Sequence, residues 1–144
     1  MEKYYMVDPK LVVGWIEKAD EDLNFARASL KEGLEFYPQI CFLLQQAVEK
    51  YLKAYIVANE LDFQKIHDLG RLIKICGKKD SEFNQYFDKV VDLSTYYIET
   101  RYPDFEIQIN KAQVENILDL AGQISIFVKQ KIEGEVVEEE KKED

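Results

Sequence analysis

The stretch CFLLQQAVEKYLKAYI, residues 41–56, belongs to a helix that we expect to open at Pro38 and to end near Asn59. Its apolar residues recur every three or four positions, a spacing that places side chains on one face of an α-helix. That face carries Ile40, Leu44, Ala47, Tyr51, Ala54 and Ala58, widened by Val48 and Tyr55. The opposite side is expected to face solvent and carries Gln45, Gln46, Glu49 and Lys53, with Phe42 among them.

The same periodicity predicts three more long helices on either side of this one. The first covers residues 9–33, with Asp8 as its N-cap and Gly33 as its stop. The fourth runs from about residue 81 to Arg101, because a proline at 103 disfavours helical geometry just before it. The fifth begins at a capping box over residues 110–113 and ends near Ile132.

A short third helix fits residues 67–76, with Asp68 or His67 as its N-cap and Gly77 at its end. No strand alternation and no glycine-rich phosphate loop is visible in the sequence. Four long amphipathic helices and one short helix predict an all-α fold. We expect an antiparallel up-and-down four-helix bundle with one short additional helix.

Charge divides the chain into two parts. The last twelve residues, EGEVVEEEKKED, hold seven acids and two lysines, a net charge of −5, and the total charge is −9. We therefore expect a bundle over residues 1–132 and a disordered acidic tail over residues 133–144. The mildly acidic remainder argues against a broad basic surface for duplex nucleic acid.

The sequence also indicates where the protein works. No apolar run is long enough to span a membrane. Cys41 and Cys76 have apolar neighbours and form no C-x-x-C pair, which is typical of buried free thiols in a reducing cytoplasm. With one histidine and no Cys/His cluster, we expect no metal site and no cofactor.

Three segments together resemble a known family. They are WIEKADEDLNFARASL in the first helix, CFLLQQAVEKYLKAYI in the second followed by HDL, and YYIETRYPD at the end of the fourth. In order and separation they resemble the HEPN domain (higher eukaryotes and prokaryotes nucleotide-binding domain) across residues 12–130. The resemblance implies a four-helix bundle with a short extra helix, often dimeric.

The resemblance also implies a cellular context. Small prokaryotic HEPN proteins are encoded beside minimal nucleotidyltransferases, in toxin–antitoxin-like pairs. Many HEPN domains are metal-independent ribonucleases that use an arginine followed by a histidine. Arg101 matches that arginine, but no histidine follows residue 67. The sequence therefore favours a binding protein over an enzyme.

Arg101 is the leading candidate for an anion-binding residue. It continues an inward-facing stripe formed by Phe83, Phe87, Val90, Ser94 and Tyr97. A guanidinium in that position can grip a phosphate with two hydrogen bonds, although it can equally stabilise a helix end or pair with Asp104. We place the phosphate at Arg101 and a nucleotide base against Tyr102, with Tyr97 and Asp104 beside them.

His67, Gln46 and Lys50 are secondary candidates. In a simple bundle His67 follows the lower end of the second helix, so it lies roughly 25–30 Å from Arg101, and a structural role at the start of the third helix is expected. Asp20 and Asp22 point about 200° apart on a helix and cannot share a site. Asp22 is expected to balance an inward-pointing lysine or arginine.

The sequence thus predicts a cytoplasmic HEPN-like module that binds a nucleotide or an RNA phosphate group. We expect a homodimer acting with a separately encoded minimal nucleotidyltransferase. The alternatives are a metal-independent ribonuclease with a degenerate Arg…His motif and a ligand-free dimeric assembly module.

Overall fold

The computed structural model describes residues 8–62, 66–101 and 108–143, with the backbone alone for residues 96–101 and 136–143. The described residues form α-helices and one 3₁₀ segment, without a strand. The elements are α1 (Pro9–Lys31), α2 (Tyr37–Ala58), α3 (Leu69–Lys79), the 3₁₀ segment Ser81–Tyr86, α4 (Phe87–Arg101) and α5 (Lys111–Glu143). The predicted all-α bundle with one short additional helix is confirmed.

Side-chain contacts show that the long helices alternate in direction. Asp22 of α1 pairs with Lys50, whereas Trp15, nearer the start of α1, lies by Lys53, nearer the end of α2. These two helices are therefore antiparallel. Lys74 lies over Phe87, and Gly70 packs against Val91, so α3 and α4 are also antiparallel. The fifth helix runs beside α2 and antiparallel to α1.

Three of the helix ends that the sequence predicts are present. Asp8 accepts a hydrogen bond from the Lys10 amide at 2.9 Å. Asn110 and Gln113 exchange backbone-to-side-chain bonds of 2.8 and 2.9 Å, which confirms the capping box. Gly33 has φ of +80°, and beside it the Leu34 amide donates to the Ser29 carbonyl, which is the geometry of a glycine-terminated helix.

Three predicted helix boundaries are wrong. Gly77 lies inside α3 rather than at its end, and its missing side chain leaves space for the Asn84 carboxamide. The fourth helix is preceded by a 3₁₀ segment capped by Asp80, whose carboxylate accepts from the Glu82 amide. The fifth helix continues past Ile132 to Glu143. The separate tail over residues 133–144 stays a prediction, although half-buried Glu135 still contacts Tyr55 of the bundle.

The second helix is the centre of the fold, because α1, α3, α4 and α5 all pack against it. The prediction of a solvated opposite face is therefore wrong. Gln45, Glu49 and Lys53 are only 5%, 5% and 4% exposed. Gln46 is half-buried, and Phe42 keeps 41% of its surface exposed. None of the described helices combines the length and apolar character needed to cross a membrane.

Candidate functional site

The backbone of Arg101 ends α4, but its side chain and that of Tyr97 lie outside the described residues, as do Tyr102 and Asp104. The anion site at these four residues therefore stays a prediction. The described part of the α4 stripe does face inward. Phe83 and Val90 are fully buried, and Phe87 and Ser94 are half-buried.

Two buried polar atoms on facing helices have no hydrogen-bond partner in the described part of the chain. They are the Oε1 atom of Gln45 on α2 and the Oγ atom of Ser94 on α4. Ser94 belongs to the inward stripe that leads to Arg101, seven residues or about 10 Å of helix rise further on. Buried polar atoms are normally satisfied, so these two atoms are exceptions among the residues that the structure describes.

A cluster of charged side chains lies one turn along α2 from Gln45, and we call Glu49, Lys53 and His67 the α2 cluster. Lys53 Nζ lies 3.1 Å from Glu49 Oε2, and His67 Nδ1 lies 3.3 Å from the same oxygen. His67 Nδ1 also lies 3.4 Å from Lys53 Nζ, which itself sits 5.5 Å from the centre of the Trp15 ring. The cluster joins α1, α2 and the segment before α3.

Solvent reaches the α2 cluster from one side. The side chains of Lys53 and Glu49 are only 5% and 7% exposed, whereas that of His67 is 71% exposed. The Glu49–Lys53 pair therefore lies in the interior, where a charged group needs compensating partners. The imidazole of His67 lies between this pair and the solvent.

The position of His67 corrects the expected distance to Arg101. Its ring contacts Glu49, nine residues or about 13 Å of rise before the end of α2, so His67 lies beside the middle of α2 and not below its end. Gly70, three residues later, packs against Val91, and Arg101 lies ten residues or about 15 Å beyond Val91. The offset along the bundle axis is therefore nearer 15 Å than the expected 25–30 Å.

The structure places His67 in contact with α2 rather than at the N-cap of α3. Asp68 is the N-cap, and its carboxylate accepts from the Arg71 amide at 3.1 Å. His67 contacts the α2 cluster instead, and so ties the segment before α3 to the second helix.

The other candidate residues occupy the seam between α1 and α2. Lys50 pairs with Asp22 at 2.6 Å, which confirms that Asp22 balances an inward lysine. The Tyr51 hydroxyl donates to Asp20, and Lys129 of α5 pairs with the same carboxylate at 2.9 Å. Asp20 and Asp22 thus serve different partners, as predicted. Lys50 is already paired and offers less to an anion than the sequence indicated.

The two thiols have no feature of a reactive site. Both are buried and free, and burial raises the pKa of Cys41 to about 11 and that of Cys76 to about 12. At neutral pH neither is a thiolate nucleophile. Within residues 8–62, 66–101 and 108–143, no group of three or more His, Cys, Asp or Glu side chains is placed to hold a metal ion.

A cavity of about 400 Å³ opens between α4 and α5. Its floor is formed by Leu93, Ile117 and Leu120, and Lys89 and Asp92 lie on its α4 wall. The carboxamides and carboxylate of Gln113, Asn116, Asp119 and Gln123 complete its α5 wall. It is an open groove with more apolar than polar lining, and its one lysine is outnumbered by two aspartates, so it does not resemble a phosphate site.

Sequence reasoning missed Glu49, Lys53 and Trp15 as members of a polar site. A signal was available, because EKxxK on α2 and the HDL tripeptide are the same segments that carry the family resemblance. Their convergence in space shows that those motif residues form one cluster rather than two separate features.

Fold and cluster together define the class of protein: an up-and-down helical bundle whose central helix carries a buried polar motif. A family model for the HEPN domain matches residues 12–131. The chain belongs to the HEPN domain family.

Solved structures agree with this assignment. The crystal structure of TT1696 from Thermus thermophilus has a TM-score of 0.72 and 31% sequence identity, covering 83% of this chain and 97% of that chain. The structure of ST0689, described as an archaeal HEPN homologue, has a TM-score of 0.67 at 24% identity, covering 84% and 97%. The latter supports the fold alone. The comparison with curated proteins finds no match.

Proposed function

We propose that this protein binds the phosphate group of a nucleotide or of an RNA at the end of the bundle where α4 stops. Arg101 is the phosphate ligand, Tyr102 stacks on a base, and Tyr97 and Asp104 flank the guanidinium. The family assignment supports this proposal at the level of nucleotide-binding or ribonuclease-like HEPN proteins.

One observation carries the proposal. The described members of the α4 stripe point into the bundle, and the helix continues without a break to Arg101. Arg101 falls on the same stripe, because it follows Ser94 by seven residues, or about two helical turns. An arginine directed inward requires a counter-charge, and a bound phosphate can supply it.

The binding experiment compares two arginines of the same chain. Isothermal titration with ATP and with a short single-stranded RNA should give binding for the native protein and for Arg71→Ala, because Arg71 is exposed on α3. Arg101→Ala should bind about 10- to 100-fold more weakly, which corresponds to one lost charged hydrogen-bond pair. Equal affinities of the two variants would refute the proposed phosphate site at Arg101.

The same proteins answer the question of catalysis. Incubation of the RNA in EDTA should leave it intact if the protein only binds. Cleavage by native protein and Arg71→Ala, but not by Arg101→Ala, would instead identify a metal-independent ribonuclease.

The proposed partners are a second copy of this chain and a separately encoded minimal nucleotidyltransferase, in a toxin–antitoxin-like pair. Light scattering at micromolar concentration should give twice the 16.9 kDa mass of the chain. A monomer mass across that range would refute the homodimer without affecting the phosphate test.

A further inference from the structure

His67 is the only histidine in the chain, and its two ring nitrogens have different surroundings. Nδ1 faces the buried Glu49–Lys53 pair at 3.3 and 3.4 Å. Nε2 has no hydrogen-bond partner in the described part of the chain, and the side chain is 71% exposed. One nitrogen is therefore engaged by the protein, and the other is open to reagents in solution.

The surroundings of Nδ1 favour a proton on that nitrogen. Glu49 Oε2 is a buried carboxylate oxygen, and its single hydrogen bond from Lys53 is 3.1 Å long. A second donor satisfies it further, and Nδ1–H at 3.3 Å can supply it beside the N–H that Lys53 directs to the same oxygen. With the proton on Nδ1, neutral His67 carries its lone pair on Nε2, on the solvent side.

We propose that His67 is a phosphoryl-acceptor site, modified at Nε2 by a small donor such as a phosphoramidate or an acyl phosphate. The Nε2 lone pair forms a bond to phosphorus, and the bond from phosphorus to the leaving group breaks with its electron pair. Ammonia leaves from a protonated phosphoramidate, and a carboxylate leaves from an acyl phosphate. The positive charge that develops on the ring faces the Glu49 carboxylate through the Nδ1–H bond.

The cluster gives this site two properties that an ordinary surface histidine lacks. Glu49 stabilises the developing imidazolium, as a carboxylate that orients a catalytic imidazole does. Lys53 and Glu49 cover Nδ1, so a donor can approach only from the Nε2 side. The site does not involve Arg101, so this inference stands apart from the proposed phosphate-binding function.

The test uses potassium phosphoramidate as the donor and the native full-length chain. Intact-mass measurement follows the rate of phosphorylation, and two-dimensional NMR of the single labelled histidine identifies the modified nitrogen. The reference is a synthetic peptide of residues 64–70, which carries the same histidine without the cluster. We expect modification at Nε2 alone and a rate at least about 10-fold above that of the peptide, within the range of general acid–base assistance.

Two variants link the effect to the cluster, and circular dichroism confirms that each is folded. Glu49→Gln should lower the rate towards that of the peptide, whereas Asp68→Asn, which keeps the adjacent helix cap, should leave it unchanged. A native rate at or below the peptide rate, or a product at Nδ1, would overturn the proposal. These two outcomes need no variant, so the proposal remains testable even if Glu49→Gln fails to fold.

Discussion

Two groups of charged side chains hold this bundle together in opposite ways. The Glu49–Lys53 pair of the α2 cluster is local and buried, since the two residues lie one turn apart on the same helix and are almost without solvent. The second group, which we call the end clip, consists of Asp80, Glu82 and Lys131. Lys131 of α5 bridges Asp80 at 2.6 Å and Glu82 at 3.0 Å, and the three side chains remain 24–64% exposed.

The difference determines how much each charge depends on its partner. In the end clip, water can replace a lost partner, and a partly exposed ion pair contributes little net stability. In the α2 cluster Glu49 and Lys53 are almost without solvent, so water compensates poorly when one of the two charges is removed. The clip connects distant parts of the chain but tolerates change. The buried Glu49–Lys53 pair joins residues one turn apart on α2 and does not tolerate change.

The largest expected effect comes from breaking the buried pair. Lys53→Met keeps most of the side-chain volume but leaves Glu49 in the interior with His67 as its remaining partner. We expect a loss of about 3–5 kcal/mol in the free energy of unfolding, measured by urea denaturation at pH 7.

The double variant Glu49→Met/Lys53→Met is the matched control, because it removes both charges and keeps the packing. Its stability should lie close to that of the native chain or exceed it by about 1–4 kcal/mol. A single variant that loses less than about 1 kcal/mol would show that water reaches Glu49, and the contrast with the end clip would disappear.

The burial of this pair also marks the limit of what the sequence could predict. Periodicity identified the most apolar face of α2, and caps such as Asp8 and Asn110 predicted helix starts, because both depend on neighbours along the chain. Periodicity does not reveal that four other helices surround α2, so the polar side was predicted to be solvated. The position of His67 along α2 depends on the tertiary fold, and no local sequence pattern predicts it.

The residues of the candidate site were also predicted only in part. Arg101 follows from the α4 stripe and from the resemblance, both of which are visible in the sequence. The α2 cluster combines residues 14 and 18 positions apart in the chain, and only the tertiary contacts bring them together. Its members were therefore predicted singly, with His67 as a structural residue and Glu49 and Lys53 as a surface pair.

The second prediction addresses the end clip as a whole. Lys131→Met removes both pairs at once while its carbon chain can still cover the Phe127 ring, which Lys131 now overlies at 5.4 Å. We expect a loss of about 1 kcal/mol in urea denaturation, several times smaller than for Lys53→Met. Lys111→Met is the control, because Lys111 makes only an exposed contact of 3.9 Å with Glu115 and should change nothing measurable. A loss as large as that of Lys53→Met would show that exposure does not set the difference.

The third prediction separates the charge of the clip from its capping role. The hydrogen bond from Lys131 holds the pKa of Asp80 below its ordinary value, against a smaller opposing effect of burial. Because its pKa is lowered on folding, ionised Asp80 stabilises the folded chain at any pH above the pKa of an aspartate in the unfolded chain, about 3.9. This stabilisation is lost as the pH falls through the lower pKa of Asp80 in the folded chain. Asp80→Asn keeps a good N-cap, so it should cost less than about 1 kcal/mol at pH 7.

A pH series of urea denaturation curves tests this sign. The difference between native protein and Asp80→Asn should be constant from pH 5 to 8 and should shrink as the pH is lowered below about 4. A difference that persists unchanged at the lowest pH would assign the effect to the cap and not to the ion pair.

The smallest effect is expected at Glu135, beyond the end clip on α5, and it has the opposite sign. Burial raises the pKa of this carboxyl, although hydrogen bonds from Asn59 and Tyr55 act against the shift. The ionised form of Glu135 is therefore less favourable in the folded chain than in the unfolded chain. The penalty is absent below about pH 4 and grows as pH rises through the raised pKa.

Glu135→Gln removes the charge and retains a carbonyl oxygen for the same two donors. It should stabilise the protein at pH 7 by less than about 1 kcal/mol and leave stability unchanged at pH 4, whereas exposed Glu133→Gln should have no effect at either pH. If Glu135→Gln destabilises at pH 7, the hydrogen bonds outweigh the cost of burial. Glu135 would then behave like Glu49, a buried charge whose partners are indispensable, and the division between a sensitive middle and a tolerant end of the bundle would no longer hold.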